Sequence, residues 1–206
     1  MSLNIAIINY GMGNLHSVYR KLTQVGVNPV VATTPAQVAA ADKIVLPGVG
    51  HFEKAMHNLR ELGLYDLLNE VVLVKKVPIL GICLGMQLMA RKSEEGNASG
   101  FGWFSGEVQR FRITDTIKHK VPQTGWNTAH ICKESPLLQN IADNSEFYFL
   151  HSYHYKTADE TEVLCRTDFE YEFVSAISKE NIFGVQFHPE KSHDTGTRLL
   201  KNFIEL

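Results

Sequence analysis

Three observations predict an α/β fold with a central, mostly parallel sheet flanked by helices and further antiparallel strands in the C-terminal half. Short apolar runs of strand length alternate with helical patterns over roughly the first ninety of 206 residues, the mark of a doubly wound parallel sheet. After a polar loop, Glu94–Gly100, the chain turns to many short β-like runs separated by turn signals, as antiparallel or mixed strands laid onto the same core require. No internal repeat, low-complexity tract or long Pro/Ser-rich linker interrupts it, so residues 1–206 are read as a single domain. A chain of this length can bury a full core.

Ile5-Ala6-Ile7-Ile8 is a continuous apolar run, as a strand covered on both faces needs. Gly11-Met12-Gly13-Asn14 makes a turn, and Leu15, Val18, Tyr19 and Leu22 recur at helical spacing up to Gly26. Val30–Ala32 and Ile44–Leu46 are the next strands, the latter ending in Pro47-Gly48-Val49-Gly50. Phe52, Met56 and Leu59 mark a helix. Leu64, Leu67, Leu68 and Val71 mark another, closed by Lys75 and Lys76 where cations suit a helix C-terminus. The run Val77–Ile82 is a fourth strand, and a helical pattern over Met86–Arg91 follows it. In the second half, strands are expected over 108–111, 128–132, 147–150, 163–166, 173–177 and 182–187. Leu199, Leu200 and Phe203 indicate a closing helix.

Hydrophobic residues at 44% and charged residues at 20% describe a soluble globular protein, and a net charge of −2 gives no reason to expect nucleic acid or an anionic membrane as partner. Cys83, Cys132 and Cys165 are odd in number and scattered, which argues against a disulfide framework and for a reducing compartment. The N-terminus lacks a signal-peptide pattern, and the apolar stretch Val71–Ala90 is broken by Lys75, Lys76 and Pro78, so a cytoplasmic location without a membrane span is expected. Met1-Ser2-Leu3 fits an expression scar and is left out of the fold.

The chemistry centres on Gly81-Ile82-Cys83-Leu84-Gly85. A strand that runs into Gly-x-Cys-x-Gly and then a helix has the layout of a nucleophile elbow with a thiol in place of serine. Flanking glycines allow a sharp bend, and a helix N-terminus favours a thiolate. A buried inert cysteine is the competing reading, and the paired glycines speak against it. His188 ends the last apolar run and Glu190 follows Pro189, so imidazole and carboxylate can project together from an extended segment, completing a Cys-His-Glu triad. Pro47–Gly50 directly follows a strand and belongs at the same sheet edge, where the N–H of Gly50 and that of Leu84 would serve an oxyanion. Tyr10–Asn14 fails as a dinucleotide fingerprint because His16 occupies the third glycine position. His151 and His154 lack a Cys or carboxylate at metal-ligand spacing, and a polar strand edge is the better reading; no metal or cofactor is expected.

Gly81–Gln87 with His188-Pro189-Glu190 resembles the class I, triad-type glutamine amidotransferases. In addition Tyr10–Asn14, Pro47–Phe52, Gly125-Trp126-Asn127, His151-Ser152-Tyr153 and His188–Ser192 appear in the order found in the subfamily of glutaminase subunits that serve imidazole glycerol phosphate synthases, in histidine biosynthesis. The resemblance spans Ile5 to Phe203. It implies that Cys83 attacks the side-chain amide of L-glutamine, His188 shuttles the proton and Glu190 orients His188, giving a γ-glutamyl thioester, ammonia and then glutamate. It also implies that Gln87, Ser152 and Tyr153 surround the substrate. It further implies a separate (β/α)8-barrel cyclase partner that takes the ammonia and forms imidazole glycerol phosphate and the purine precursor AICAR, in a heterodimer. Asn14, Trp126, Tyr148 and Lys191 fall at positions that face or support that interface. The chain departs from the subfamily at Gln123-Thr124, where His-Met is usual, and around Ala90–Lys92 and Gly102–Phe104. These departures suit a relative that feeds a cyclase-like partner in amidination of surface amino-sugar precursors, the alternative acceptor.

Overall fold

Ile5 and Ile7 face one side of a sheet while Ala6 and Ile8 face the other, and all four are fully buried, so the first apolar run lies between two packed layers. The computed structural model describes residues 3–206, so the first two residues of the expected scar lie outside the described residues. In chain order the elements are β1 (Ile5–Ile8), α1 (Leu15–Gln24), β2 (Val30–Ala32), α2 (Pro35–Ala39), β3 (Lys43–Leu46), α3 (Phe52–Glu61) and α4 (Leu64–Asn69). A wider helical turn over Glu70–Val74 leads to β4 (Ile79–Ile82) and α5 (Leu84–Gln87). Then come β5 (Lys92–Ser93), β6 (Ala98–Ser99), β7 (Glu107–Arg110), β8 (Gln123–Ile131), β9 (Ser145–His151) and β10 (Tyr153–Lys156). The chain closes with β11 (Val163–Phe169), β12 (Tyr171–Lys179), β13 (Ile182–Val185) and α6 (His193–Glu205).

The strands β2-β1-β3-β4-β13 run parallel, and β12 adds antiparallel to β13. The sheet continues through β10 and β7 to the short β5–β6 hairpin, while β11, β8 and β9 branch from β12. This is the expected mixed α/β architecture. Its decisive feature is β13, nearly last in sequence yet hydrogen-bonded parallel to β4, with Val185 opposite Ile82. The backbone N–H of Cys83 continues that ladder to the Val185 carbonyl at 2.8 Å. The two segments that carry Cys83 and His188 therefore leave the same sheet edge side by side. The faces are covered by α2, α3 and α4 on one side and by α1 and α6 on the other, where Phe203 and Leu199 meet Ile5, Val45 and Phe187.

Several expectations need correction. The helix expected over Met86–Arg91 is a single turn ending at Gln87. Beyond it the carbonyls of Leu88, Ala90 and Met89 accept from the N–H groups of Phe101, Gly102 and Phe104, so tertiary pairing claims the backbone that helical spacing had assigned to a helix. The polar loop Glu94–Gly100 holds the turn and the second strand of the β5–β6 hairpin. The strand expected from Thr128 starts at Gln123, because its first residues pair fully with β9. The helix α2 was not expected. Thr34 caps it and Gln37 reaches back to the Thr34 backbone, a capping box whose Thr-Pro-x-Gln signal is plain in the sequence.

One contact on the α6 side holds the last functional segment in place. A Cβ on Gly196 would lie 1.9 Å from the Pro189 carbonyl oxygen, so α6 packs flush on the turn Pro189–Lys191 only because residue 196 has no side chain. Gly196→Ala is expected to cost about 1–3 kcal/mol of stability through overpacking, despite alanine's better helix propensity. Urea titration of the two proteins checks this; a stabilised variant would contradict the close approach.

Candidate active site

Cys83 leaves β4 with φ 54° and ψ −108°, a conformation unusual for any residue carrying a Cβ. Such strain costs of order 1–3 kcal/mol and persists only where the surroundings overdetermine it. They do so here by close backbone contact. A Cβ on Gly85 would lie 1.8 Å from the Leu46 carbonyl oxygen, and one on Gly81 would lie 2.7 Å from the Gly85 carbonyl carbon and oxygen. The flanking glycines thus serve close packing; neither has a positive φ, so bending freedom is not their use. Cys83 is 5% exposed. It donates toward the Leu150 carbonyl oxygen at 3.7 Å and accepts from Nε2 of Gln186 at 3.6 Å. The α5 helix below it is one turn long, so the dipole expected at Cys83 is that of a single turn.

The segment Pro47–Gly50 runs from the end of β3 over the same edge. A Cβ on Gly48 would lie 2.4 Å from the Tyr10 hydroxyl oxygen and 2.9 Å from the Leu84 Cβ, which seats this segment directly on the elbow. Gly50 has φ 115°, open to glycine, and a Cβ there would meet Met12. The motif Tyr10–Asn14 now has a structural use: the Tyr10 hydroxyl donates to the Pro47 carbonyl at 2.8 Å, and Gly13 packs on Gly48. Burial, with the nearby Cys83 sulfur, pushes the Tyr10 phenol far above its ordinary value, so it stays a neutral donor. Leu84 is the first residue of α5, and N–H groups of a first helical turn have no intrahelical acceptor. Gly50 and Leu84 therefore lie together at the sulfur.

His188 and Glu190 do meet, though not as side chains spaced along a strand. His188 is extended, but Pro189–Lys191 forms a 3-10 turn that carries Glu190 back beneath the ring, with Nδ1 2.8 Å from Oε1. Both side chains are 2% exposed. Burial opposes charge on the imidazole, but the Cys83 sulfur and the Glu190 carboxylate outweigh it and push His188 up to about 10. Among protein atoms Nε2 has no aligned hydrogen-bond partner, so its attraction to the sulfur is one of proximity and charge. The protons of such a pair belong to the pair as a whole.

A cleft of about 240 Å³ opens over the sulfur, and Val49, Gly50, Leu84, Gln87, Leu150, Ser152 and Tyr153 line it together with Glu95 and His151. The Gln87 amide nitrogen is already committed, donating to the Tyr153 carbonyl and to Oε1 of Gln186, each at 2.9 Å. A larger concavity of about 400 Å³ over β7, β10 and β12 holds no nucleophile, and its Arg112 and Arg166 pair with Glu94, Glu160 and Glu172. The sequence reading missed Glu95 and Gln186, and it took His151 and His154 for a polar strand edge, whereas both side chains are buried. Glu95, held by accepting from the Phe52 N–H at 2.8 Å, is the cleft's carboxylate; it lay in a stretch that read as featureless polar loop. Gln186 was hidden inside an apolar run. His151 donates to the Tyr153 carbonyl through its Nδ1–H at 2.8 Å, and burial lowers its pKa to about 3, so it is neutral at physiological pH.

Outside the cleft, Trp126 is 45% exposed, stacks on His193 at 4.9 Å and meets Tyr148 edge-on at 6.1 Å. Lys191 lies over the Tyr148 ring at 5.4 Å. Three of the four expected interface residues thus form one surface cluster beside the triad, with the exposed Val49 and Leu150 nearby on the cleft rim. Asn14 has another duty: its side chain caps α1 by accepting from the Ser17 N–H at 3.2 Å. Among the described residues no helix is long and apolar enough to cross a membrane.

A family model described as Glutamine amidotransferase class-I matches residues 6–206. Imidazole glycerol phosphate synthase subunit HisH 2 of Methanococcus maripaludis is 45% identical over 201 residues, covering 98% of each chain. Subunit HisH 1 of that synthase from Campylobacter jejuni is 46% identical over 203 residues, covering 98% of this chain and 100% of that one. PurLQS from Thermotoga maritima superposes with a TM-score of 0.78 over 100% of this chain and 99% of that chain; at 15% identity this is a likeness of fold alone.

The raised His188 pKa has a consequence for stability. The folded value, about 10, lies above the ordinary 6.5, so folding takes up a proton between those values. The stabilisation is complete below pH 6.5 and is lost as pH rises toward 10. Urea unfolding of the wild type and His188→Asn across that range should show their stability difference shrinking with rising pH. A difference that stays constant would mean that His188 is not held charged.

Proposed function

This chain belongs to the glutamine amidotransferase class-I family, and from that premise we propose that it is the glutaminase subunit of an imidazole glycerol phosphate synthase. The observation that carries the chemistry is the strained Cys83 elbow beside a buried His188–Glu190 pair at 2.8 Å, beneath Gly50 and Leu84. The Cys83 sulfur attacks the side-chain carbonyl carbon of L-glutamine. The backbone N–H groups of Gly50 and Leu84 stabilise the oxyanion, a form of help that preorganised dipoles supply at little reorganisation cost. His188 delivers a proton to the departing nitrogen, the C–N bond breaks, and ammonia leaves behind a γ-glutamyl thioester. Water, deprotonated by His188, then releases glutamate and returns the thiol. Glu190 holds the imidazole orientation throughout.

The small polar cleft suits an α-amino acid. Glu95 is placed to pair with the α-ammonium group, and Ser152 and Tyr153 to meet the carboxylate and the chain of the substrate. A cleft with such committed partners rejects simple amides, which would leave Glu95 unpaired. Gln87 acts on the site by positioning, because its amide nitrogen is already donated to Tyr153 and Gln186.

The named relatives are subunits of a synthase, and the acceptor half of the reaction has no counterpart in the residues of this site. Ammonia released to water at neutral pH becomes ammonium and loses its nucleophilic lone pair, so a partner must cover the exit. We assign that place to a (β/α)8-barrel cyclase, in a cytoplasmic heterodimer forming imidazole glycerol phosphate and AICAR, with this chain as one domain. Trp126, Tyr148 and Lys191 supply the aromatic and cationic surface such docking uses. The amino-sugar acceptor is not favoured: the relatives carry the synthase name, and the departures that motivated it have structural uses. Trp103 is buried and donates to Asn69 at 2.7 Å, and Gln123 is a buried strand residue paired with His151.

Cys83→Ala is expected to reduce glutamine hydrolysis, measured as glutamate release with the barrel partner and its acceptor substrate present, by at least about 10⁴-fold. Retained turnover would remove Cys83 from the mechanism. Trp126→Ala is expected to weaken partner binding by about 2 kcal/mol, near thirtyfold in Kd by titration calorimetry, while cleft residues stay intact. Unchanged binding would place the interface elsewhere.

A further inference from the structure

Gln186 is fully buried at the end of β13, two residues before His188. The chain bends at Gln186 and Phe187, just past the end of β13 at Val185. Both side chains lie at Cys83, His188 beside the sulfur and Gln186 with Nε2 3.6 Å from it. The amide orientation follows from its neighbours. The Tyr153 carbonyl can only accept, so the group of Gln87 facing it at 2.9 Å must be the NH₂. That same nitrogen faces Gln186 at 2.9 Å, which must therefore present its Oε1 there. The remaining end of Gln186, pointed at the sulfur, is its NH₂.

We propose that Gln186 is a built-in hydrogen-bond donor to the Cys83 nucleophile, and that Gln87 is the positioning residue that locks the donor toward the sulfur. The sulfur has two neighbours with opposite preferences. The Leu150 carbonyl can hold only the thiol, by accepting its proton, whereas the Gln186 N–H favours the thiolate, because a donor binds an anion more strongly than a neutral acceptor. The amide chain starts at the backbone of Tyr153, a residue that lines the cleft, so the substrate-facing strand and the nucleophile share one rigid chain of hydrogen bonds. Gln186 is absent from the cleft wall, so its contribution goes to the reactivity of the sulfur and leaves substrate affinity alone. This inference rests on the proposed role of Cys83 as nucleophile.

The test is alkylation of the full chain by iodoacetamide, with Cys83 and Cys132 followed separately by peptide mass spectrometry. Cys132 is exposed, away from the triad, and serves as the internal reference. Gln186→Met removes the donor at similar length; a cooperative thermal melt verifies folding. The Cys83-to-Cys132 rate ratio at fixed neutral pH should fall about tenfold, and the rate–pH profile of Cys83 should move to higher pH. Gln186→Glu, which keeps the acceptor for Gln87 but turns an oxygen on the sulfur, should lower the ratio as well, and it carries the test if Gln186→Met does not fold. In glutamine turnover the loss should appear in kcat, with KM within about twofold. A folded variant with a wild-type ratio and profile overturns the donor role and leaves the triad standing. Retained turnover in Cys83→Ala would instead overturn the nucleophile assignment itself, so the two failures are separable.

Discussion

The whole site hangs on the absence of a Cβ at Gly85, where one would lie 1.8 Å from the Leu46 carbonyl oxygen, so that the elbow backbone packs directly on the end of β3. That contact joins the ends of β3 and β4. Pro47–Gly50 continues directly from Leu46, and Cys83, two residues before Gly85, has φ 54°. Gly48 repeats the device one step along, against Tyr10 and Leu84. Protein interiors deform little and in jumps, so backbone packed this tightly fixes N–H directions better than side chains can. The Gly50 and Leu84 backbone at the cleft and the positive φ of Cys83 belong to one tightly packed junction.

The electrostatics divide three buried histidines by the company each keeps. His188 has a carboxylate and a sulfur beside it and holds its proton; His151 has aromatic rings and a carbonyl and is neutral. His154 is likewise lowered by burial, with its two nitrogens on the Tyr155 carbonyl and the Tyr171 hydroxyl. Burial is common to all, so it cannot decide the protonation state; the charged neighbour does. In the mechanism proposed above, His188 is therefore the one of these three imidazoles with a proton to give.

The surface beside the triad is also a continuation of the catalytic segments. Tyr148 is on β9, whose next exposed residue, Leu150, gives its carbonyl to the Cys83 sulfur; Lys191 follows Glu190 and lies over the Tyr148 ring. The backbone N–H of His188 donates to the Tyr148 carbonyl at 2.8 Å. A partner that seats on Trp126 and Tyr148 therefore touches the strands that hold the base and the sulfur, which gives docking a direct mechanical hold on the site.

Much of this was written locally. The parallel half was legible because stretches such as Ile5–Ile8 and Ile44–Leu46 are buried on both faces and so read as unbroken apolar runs, and the elbow because Gly-x-Cys-x-Gly has few other uses. The sequence by itself also singled out Cys83, His188 and Glu190 as candidates, from the glycines around Cys83 and from the apolar run that leads into His188-Pro189-Glu190. What only tertiary structure decided is whatever depends on a partner far along the chain. The helix after Gln87 stops because Phe101, Gly102 and Phe104 take its carbonyls; Glu190 reaches His188 through a turn that Gly196 of α6 packs down; Gln186 stayed hidden inside an apolar run, and Gln87, 99 positions away, fixes its amide. Hydrophobic period and turn chemistry are properties of a few consecutive residues, whereas hydrogen-bond direction and steric close approach are set by whichever atoms the fold brings opposite.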